Sequence, residues 1–159
     1  LFLALGGCAS FDGRGLVPGQ SSERDVVAVM GTPAEKEPVE NGDTIYWYPR
    51  HPWGMVSYAA RIDADGRLVA LEQRLTGDNI DKVVRGKSTA KEVHDLLGPP
   101  WRPEHYARLQ RDIWTYPMRV AGRALPQWFL VQLSPDGVVR ETYLIDNPHF
   151  VPRDGGRSR

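Results

Sequence analysis

Four histidines, one cysteine and two serines in matching contexts are where covalent, acid–base or metal chemistry could begin in this 159-residue chain. His51, His94, His105 and His149 show no HExxH spacing, and His94 lies two positions from Glu92, an interval at which helix neighbours do not face each other. They read as surface or turn histidines. Ser21 and Ser88 lie outside any G-x-S-x-G elbow and stand where helix N-caps belong. Gly86-Lys87-Ser88 has the ending of a phosphate loop, but the glycine that pattern needs five residues earlier is Asp81. The lone Cys8 excludes an internal disulfide and any CxxC metal or redox site. Without a set of acid, base and nucleophile, the chain reads as a non-enzyme with no cofactor and no metal.

Contact chemistry is better supplied. Five Trp, six Tyr and four Phe fall mostly on strand-like segments and the loops beside them. Trp and Tyr join a large apolar body to a polar tip, which suits protein interfaces and membrane headgroup zones. Trp47 and Trp114 are expected in the core. Trp53 sits with Met55 in a loop broken by Pro and Gly, where burial is harder, and Trp128 with Leu130 occupies a strand face whose counterparts are small. Trp53, Met55, Arg61, Trp128 and Leu130 are the candidate partner contacts. Arg50, His51 and Arg61 would complement an acidic partner or phosphate headgroups, or simply solvate a face.

An element written twice positions these residues. Leu16–Pro33, LVPGQSSERDVVAVMGTP, aligns without a gap on Val83–Pro100, VVRGKSTAKEVHDLLGPP. Gly19, Ser21, Val26, Gly31 and Pro33 recur 67 positions later as Gly86, Ser88, Val93, Gly98 and Pro100. A Ser after a Gly predicts an N-cap, so short helices are expected over 21–30 and 88–97. Val93, Leu96 and Leu97 form one apolar stripe. A left-handed Gly98 with Pro100 beyond it would end the helix. Helices this short are marginal alone, so the stripe must lie on the strands that follow.

In the first copy those strands are expected over 35–39 at an edge, then 43–48, 55–62 and 68–75, with turns at Asn41-Gly42 and Asp63–Gly66. In the second they are expected over 110–116, 128–133 and 138–145. Asp78 would cap an extra helical turn carrying Ile80, Val83 and Val84, whereas Gly13, Gly15 and Pro18 leave its first-copy equivalent short or lost. Tyr58, Ala60 and Ile62, matched by Phe129, Val131 and Leu133, should point at the helices. Ser57, Ala59 and Arg61, matched by Trp128, Leu130 and Gln132, should point away.

With 41% apolar residues the chain can hold one domain or two small ones, and its 20 basic and 20 acidic side chains cancel. No basic stripe suggests nucleic acid. The expected division is a residual signal peptide at 1–7, a lipidated linker at 8–15, repeats at 16–77 and 78–147, and a disordered Pro- and Gly-rich tail at 148–159.

The opening LFLALGGCAS resembles the end of a bacterial lipoprotein signal peptide, with Leu5-Gly6-Gly7-Cys8 as lipobox. That resemblance implies cleavage before Cys8, acylation of Cys8, and an outer-membrane protein anchored by lipid and facing the periplasm. The alternative is an apolar end with an incidental Cys. The pattern G-x-S/T-x-x-x-V-x-x-x-x-G-x-P, carried at Gly19–Pro33 and again at Gly86–Pro100, resembles the SmpA/OmlA family of small outer-membrane lipoproteins, the BamE-like proteins. It implies an α+β fold of two tandem units, each a short helix or helix pair packed on a three- to four-stranded antiparallel sheet. It also implies a non-catalytic binding module supporting outer-membrane protein assembly or envelope integrity, with an envelope protein, such as the assembly machinery, as partner. A tandem of such units is similar to the β-lactamase inhibitor proteins, which cover an enzyme with an aromatic sheet. A tethered inhibitor or sensor of a periplasmic enzyme is the alternative.

Overall fold

A computed structural model describes residues 11–152. Cys8, the lipobox and the last seven residues lie outside the described residues. The chain is an α+β protein of two tandem units. The first comprises α1 (Glu23–Met30), β1 (Glu35–Pro38), β2 (Thr44–Pro49), β3 (Ser57–Ile62) and β4 (Leu68–Gln73). The second comprises α2 (Gly77–Ile80), α3 (Ala90–Leu97), β5 (Arg102–Tyr106), β6 (Arg111–Met118), β7 (Gln127–Leu133) and β8 (Val139–Asp146). Each unit folds its strands into a separate antiparallel meander, ordered β1-β2-β3-β4 and β5-β6-β7-β8. The edge strand β5 was not legible in RPEHY, an exposed segment with Pro103 at its second position, where an edge tolerates the missing N–H.

The helix starts differ from expectation by one residue. Ser22 and Thr89, not Ser21 and Ser88, are the N-caps, because a capping box needs its acid three residues on, and those acids are Asp25 and Glu92. The displaced serines do other work. Ser21 Oγ accepts from the Val17 amide and Ser88 Oγ from the Val84 amide, both at 2.9 Å, closing the turn before each helix. The Gly19 amide donates to the Leu68 carbonyl while the Leu68 amide donates to Ser21, and Gly86, Val139 and Ser88 repeat the pair. The repeated G-x-S is therefore a clip that fastens each helix start to the first residue of its unit's last strand. Similarly, α2 is capped by Thr76 rather than Asp78 and runs only four residues. Residues 11–22 hold turns and no helix.

Gly31 and Gly98 end their helices with φ near +87° and +82° and ψ near −170°. This is a positive-φ but extended conformation, open essentially to glycine. Each sheet buries its inner face under its own helix. Val26 and Met30 of α1 pack on Tyr46, Tyr48, Ala60, Ile62 and Leu68. Val93 and Leu97 of α3 pack on Tyr116, Met118, Phe129, Val131 and Leu133. The inward alternation of β3 and β7 is as expected. Full burial of each such side chain contributes about 1.5–3 kcal/mol.

The outward alternation holds for β7 but not for β3. Ser57 and Ala59 are buried, and the neighbouring Trp47 is 0% exposed although it points away from α1. The cover comes from the second unit, whose α3 lies on the outer face of the first sheet. From one end, the layers run α1, first sheet, α3, second sheet. No helix among the described residues lies on the far face of the last layer.

Candidate contact surface

The seam between the units shows how such a sheet face takes a helix. His94 of α3 meets the Trp47 ring edge-on at 5.5 Å between centroids, and its Nε2 lies 2.9 Å from a Glu35 carboxylate oxygen. The Trp47 indole N–H donates to Glu37 at 3.0 Å. Lys91 bridges Glu37 and Asp95 at 3.4 and 2.8 Å. Arg74 donates to the Asp95 carbonyl, and Asn79 donates to the carbonyls of Arg74 and Leu96. Burial pushes the Glu37 carboxyl up, but the Trp47 N–H and the charges of His94 and Lys91 outweigh it and hold the group below its ordinary value. Glu37, His94 and Asp95 place ligand-type atoms within 4.8 Å of one another. The Lys91 ammonium already occupies the cation's place between the two carboxylates, so the cluster is an ion-pair network.

On the second sheet no helix among the described residues lies on the equivalent face, which is exposed along its β8 side and closed at Thr115 and Pro117, both buried. Along β7, Trp128 lies between Pro117 and Ile145, and Leu130 between Thr115 and Tyr143. Trp128 and Leu130 are half-buried, while Tyr143 and Ile145 are 45% and 40% exposed. At the end of this face an aromatic cluster gathers around His149, whose ring lies 6.1 Å from Trp53, 6.3 Å from Trp101 and 5.7 Å from Trp128. Trp101 and Trp128 are 5.8 Å apart, and Arg102 stacks on Trp101 at 4.1 Å. Asn147 holds the turn that delivers His149, donating to the Pro126 carbonyl and accepting from the His149 and Phe150 amides.

Of the residues singled out from sequence, Trp53, Trp128 and Leu130 fall on or beside this surface, with Trp53 71% exposed. Met55 does not serve: at φ +54° its side chain turns inward and is only 5% exposed. Arg61 is on the other sheet, bound to Asp43. There it lines a cavity of about 170 Å³ with Ile45, Ala59, Ala70, Glu72 and Arg74, beside the part covered by α3. Nor is His51 a surface group, because its Nε2 lies 3.1 Å from the Pro99 carbonyl and burial lowers its pKa against that hydrogen bond. Trp101, Tyr143, Ile145 and His149 went unassigned by sequence reasoning. The alternation of Tyr143 and Ile145 in TYLID was the signal that could have found two of them.

No family model matches the chain, and no curated protein matches it. Among solved structures, a DUF4309 family protein, YjgB from Bacillus subtilis, is similar at 20% identity over 84% of each chain, with a TM-score of 0.33.

Proposed function

We propose that this protein is a lipid-anchored, non-catalytic binding module of the outer membrane that faces the periplasm and engages an envelope protein with the outer face of its second sheet. One observation carries the reading of the surface: Trp128, Leu130, Tyr143 and Ile145 form a partly exposed apolar sheet face on which no helix among the described residues lies, while the equivalent face of the first sheet is covered by a helix. The anchor rests on the Leu5–Cys8 pattern and the outer-membrane role on the likeness to BamE-like lipoproteins. No helix among the described residues is long and apolar enough to cross a membrane.

The test is a crosslinking pull-down of the acylated protein from native membranes. Wild type should capture a partner that Trp128→Ala loses, and deletion of the gene should weaken the envelope. Capture that ignores Trp128→Ala would remove the surface from the account. The protruding Trp53 beside the aromatic cluster favours a second reading, a tethered inhibitor or sensor of a periplasmic enzyme. Under it, a soluble enzyme would lose activity on binding and regain it with Trp53→Ala or Trp128→Ala.

A further inference from the structure

We propose that the end of the molecule built from Phe11, the loop between β2 and β3 and the segment after β8 lies on a phospholipid surface, with Trp53 in the headgroup layer. This rests on reading Cys8 as the lipid anchor and adds which end of the protein faces the bilayer.

Three observations meet at that end. The first is covalent reach. Cys8 stands three residues before Phe11, a span of at most about 11 Å even in a fully extended chain. Phe11 is itself fixed to the fold. Its carbonyl accepts from Arg50 Nε at 3.2 Å, and the Arg50 guanidinium lies 5.5 Å from the centre of its ring. The same ring packs against Gly54, where a Cβ would collide with it. Gly54 follows Trp53 directly, so an acyl group on Cys8 brings the loop that carries Trp53 to the bilayer.

The second is exposed apolar surface gathered beside that loop. Trp53 is 71% and Phe11 54% exposed. Phe150 and Val151 are exposed on the segment whose His149 ring lies 6.1 Å from Trp53. An indole that joins an apolar body to an N–H suits the headgroup zone.

The third is charge. The segments at this end, residues 50–56, 119–126 and 147–152, contain Arg50, Arg119 and Arg123 and no Asp or Glu. The amide of Asn147 donates to the Pro126 carbonyl, which ties the second of these segments to the third. Arg119 and Arg123 are exposed. The turns at the opposite end of the strands, 39–43, 63–66 and 134–137, hold Glu40, Asp43, Asp63, Asp65 and Asp136 and no Lys or Arg. Only the β5–β6 turn, with Arg108, breaks the division. An anionic leaflet attracts the first end and repels the second.

The test couples the full chain through Cys8 to a maleimide phospholipid in vesicles of phosphatidylethanolamine and phosphatidylglycerol whose acyl chains are brominated, so that bromine quenches any indole it touches. Fluorescence should fall, and about half or more of that fall should vanish in Trp53→Phe. Ala64→Trp, added to Trp53→Phe in the turn at the opposite end, should restore no quenching. Arg119→Glu with Arg123→Glu should weaken vesicle binding of the uncoupled chain by about tenfold or more, an effect that fades at high salt. Quenching that ignores Trp53→Phe, quenching restored by Ala64→Trp, or binding that ignores the two reversals would overturn the proposal. Mass spectrometry of Cys8 in protein taken from its native cells separates this from the anchor. A Cys8 without acyl groups would remove the anchor and the proposal with it, whereas an acylated chain with unquenched Trp53 would remove the proposal and leave the anchor standing.

Discussion

Gly98 has no room for a side chain: a Cβ there would lie 2.7 Å from both the Trp47 ring and Ser57 Oγ. Gly31 shares its backbone angles but faces open space, so the pair separates conformational strain from packing. Gly31→Ala should cost about 1–3 kcal/mol from the disfavoured φ alone. Gly98→Ala should cost distinctly more, as a lower urea midpoint, because it also forces the seam apart. Equal losses would show that the contact with Trp47 is not tight. Trp47→Ala should cost about 3–5 kcal/mol, as a fully buried aromatic does. Glu37 adds a pH dependence. Its folded pKa lies below the ordinary 4.5, so its contribution is present above that value and lost as pH falls through the folded one. Acid titration of stability should therefore be shallower in Glu37→Gln. It will not be flat, since Glu23, Asp25, Asp43 and Asp136 are lowered as well.

At the level of elements, α3 matters more than its eight residues suggest, because it is packed on both sides. Thr89→Ala removes its cap, at about 1 kcal/mol. Ser22→Ala removes the same cap from α1, which lies on one sheet only. Thr89→Ala should loosen both units together, read as faster amide exchange in β2 as well as β6, whereas Ser22→Ala should act on the first unit alone. Exchange confined to the second unit in Thr89→Ala would separate α3 from the first sheet. The helices were legible because Gly31, Pro33, Gly98 and Pro100 stop them and Val26, Met30, Val93 and Leu97 stripe them. The cap was misread by one residue because two hydroxyl residues stand in sequence at each start, and only the spacing to Asp25 or Glu92 decides between them. The strand β5 escaped because nothing in it is buried, so it carries no alternation to read.

Over the whole molecule, the repeat declared two units but not how they meet. Trp47 could be recognised as buried from its strand, yet its cover comes from a helix some fifty positions away, which local periodicity cannot report. For the same reason Ser57 and Ala59 look like solvent-facing residues in sequence and are not. Trp53, Trp128 and Leu130 could be picked out by type and placement. Their grouping with Trp101 and His149 depends on the loop between β2 and β3 reaching the second unit. Because α3 packs on both sheets and buries Trp47 between them, the two units should unfold in one transition, with Trp47→Ala splitting it into two.

The most direct measurement places a photoreactive amino acid at Tyr143, on the outer face of the second sheet, and at Val84, an exposed position before α3, in the full chain within its native cells. The account predicts a discrete adduct from 143 and none from 84. No adduct from 143, or the same adducts from both, would contradict a contact surface on the second sheet.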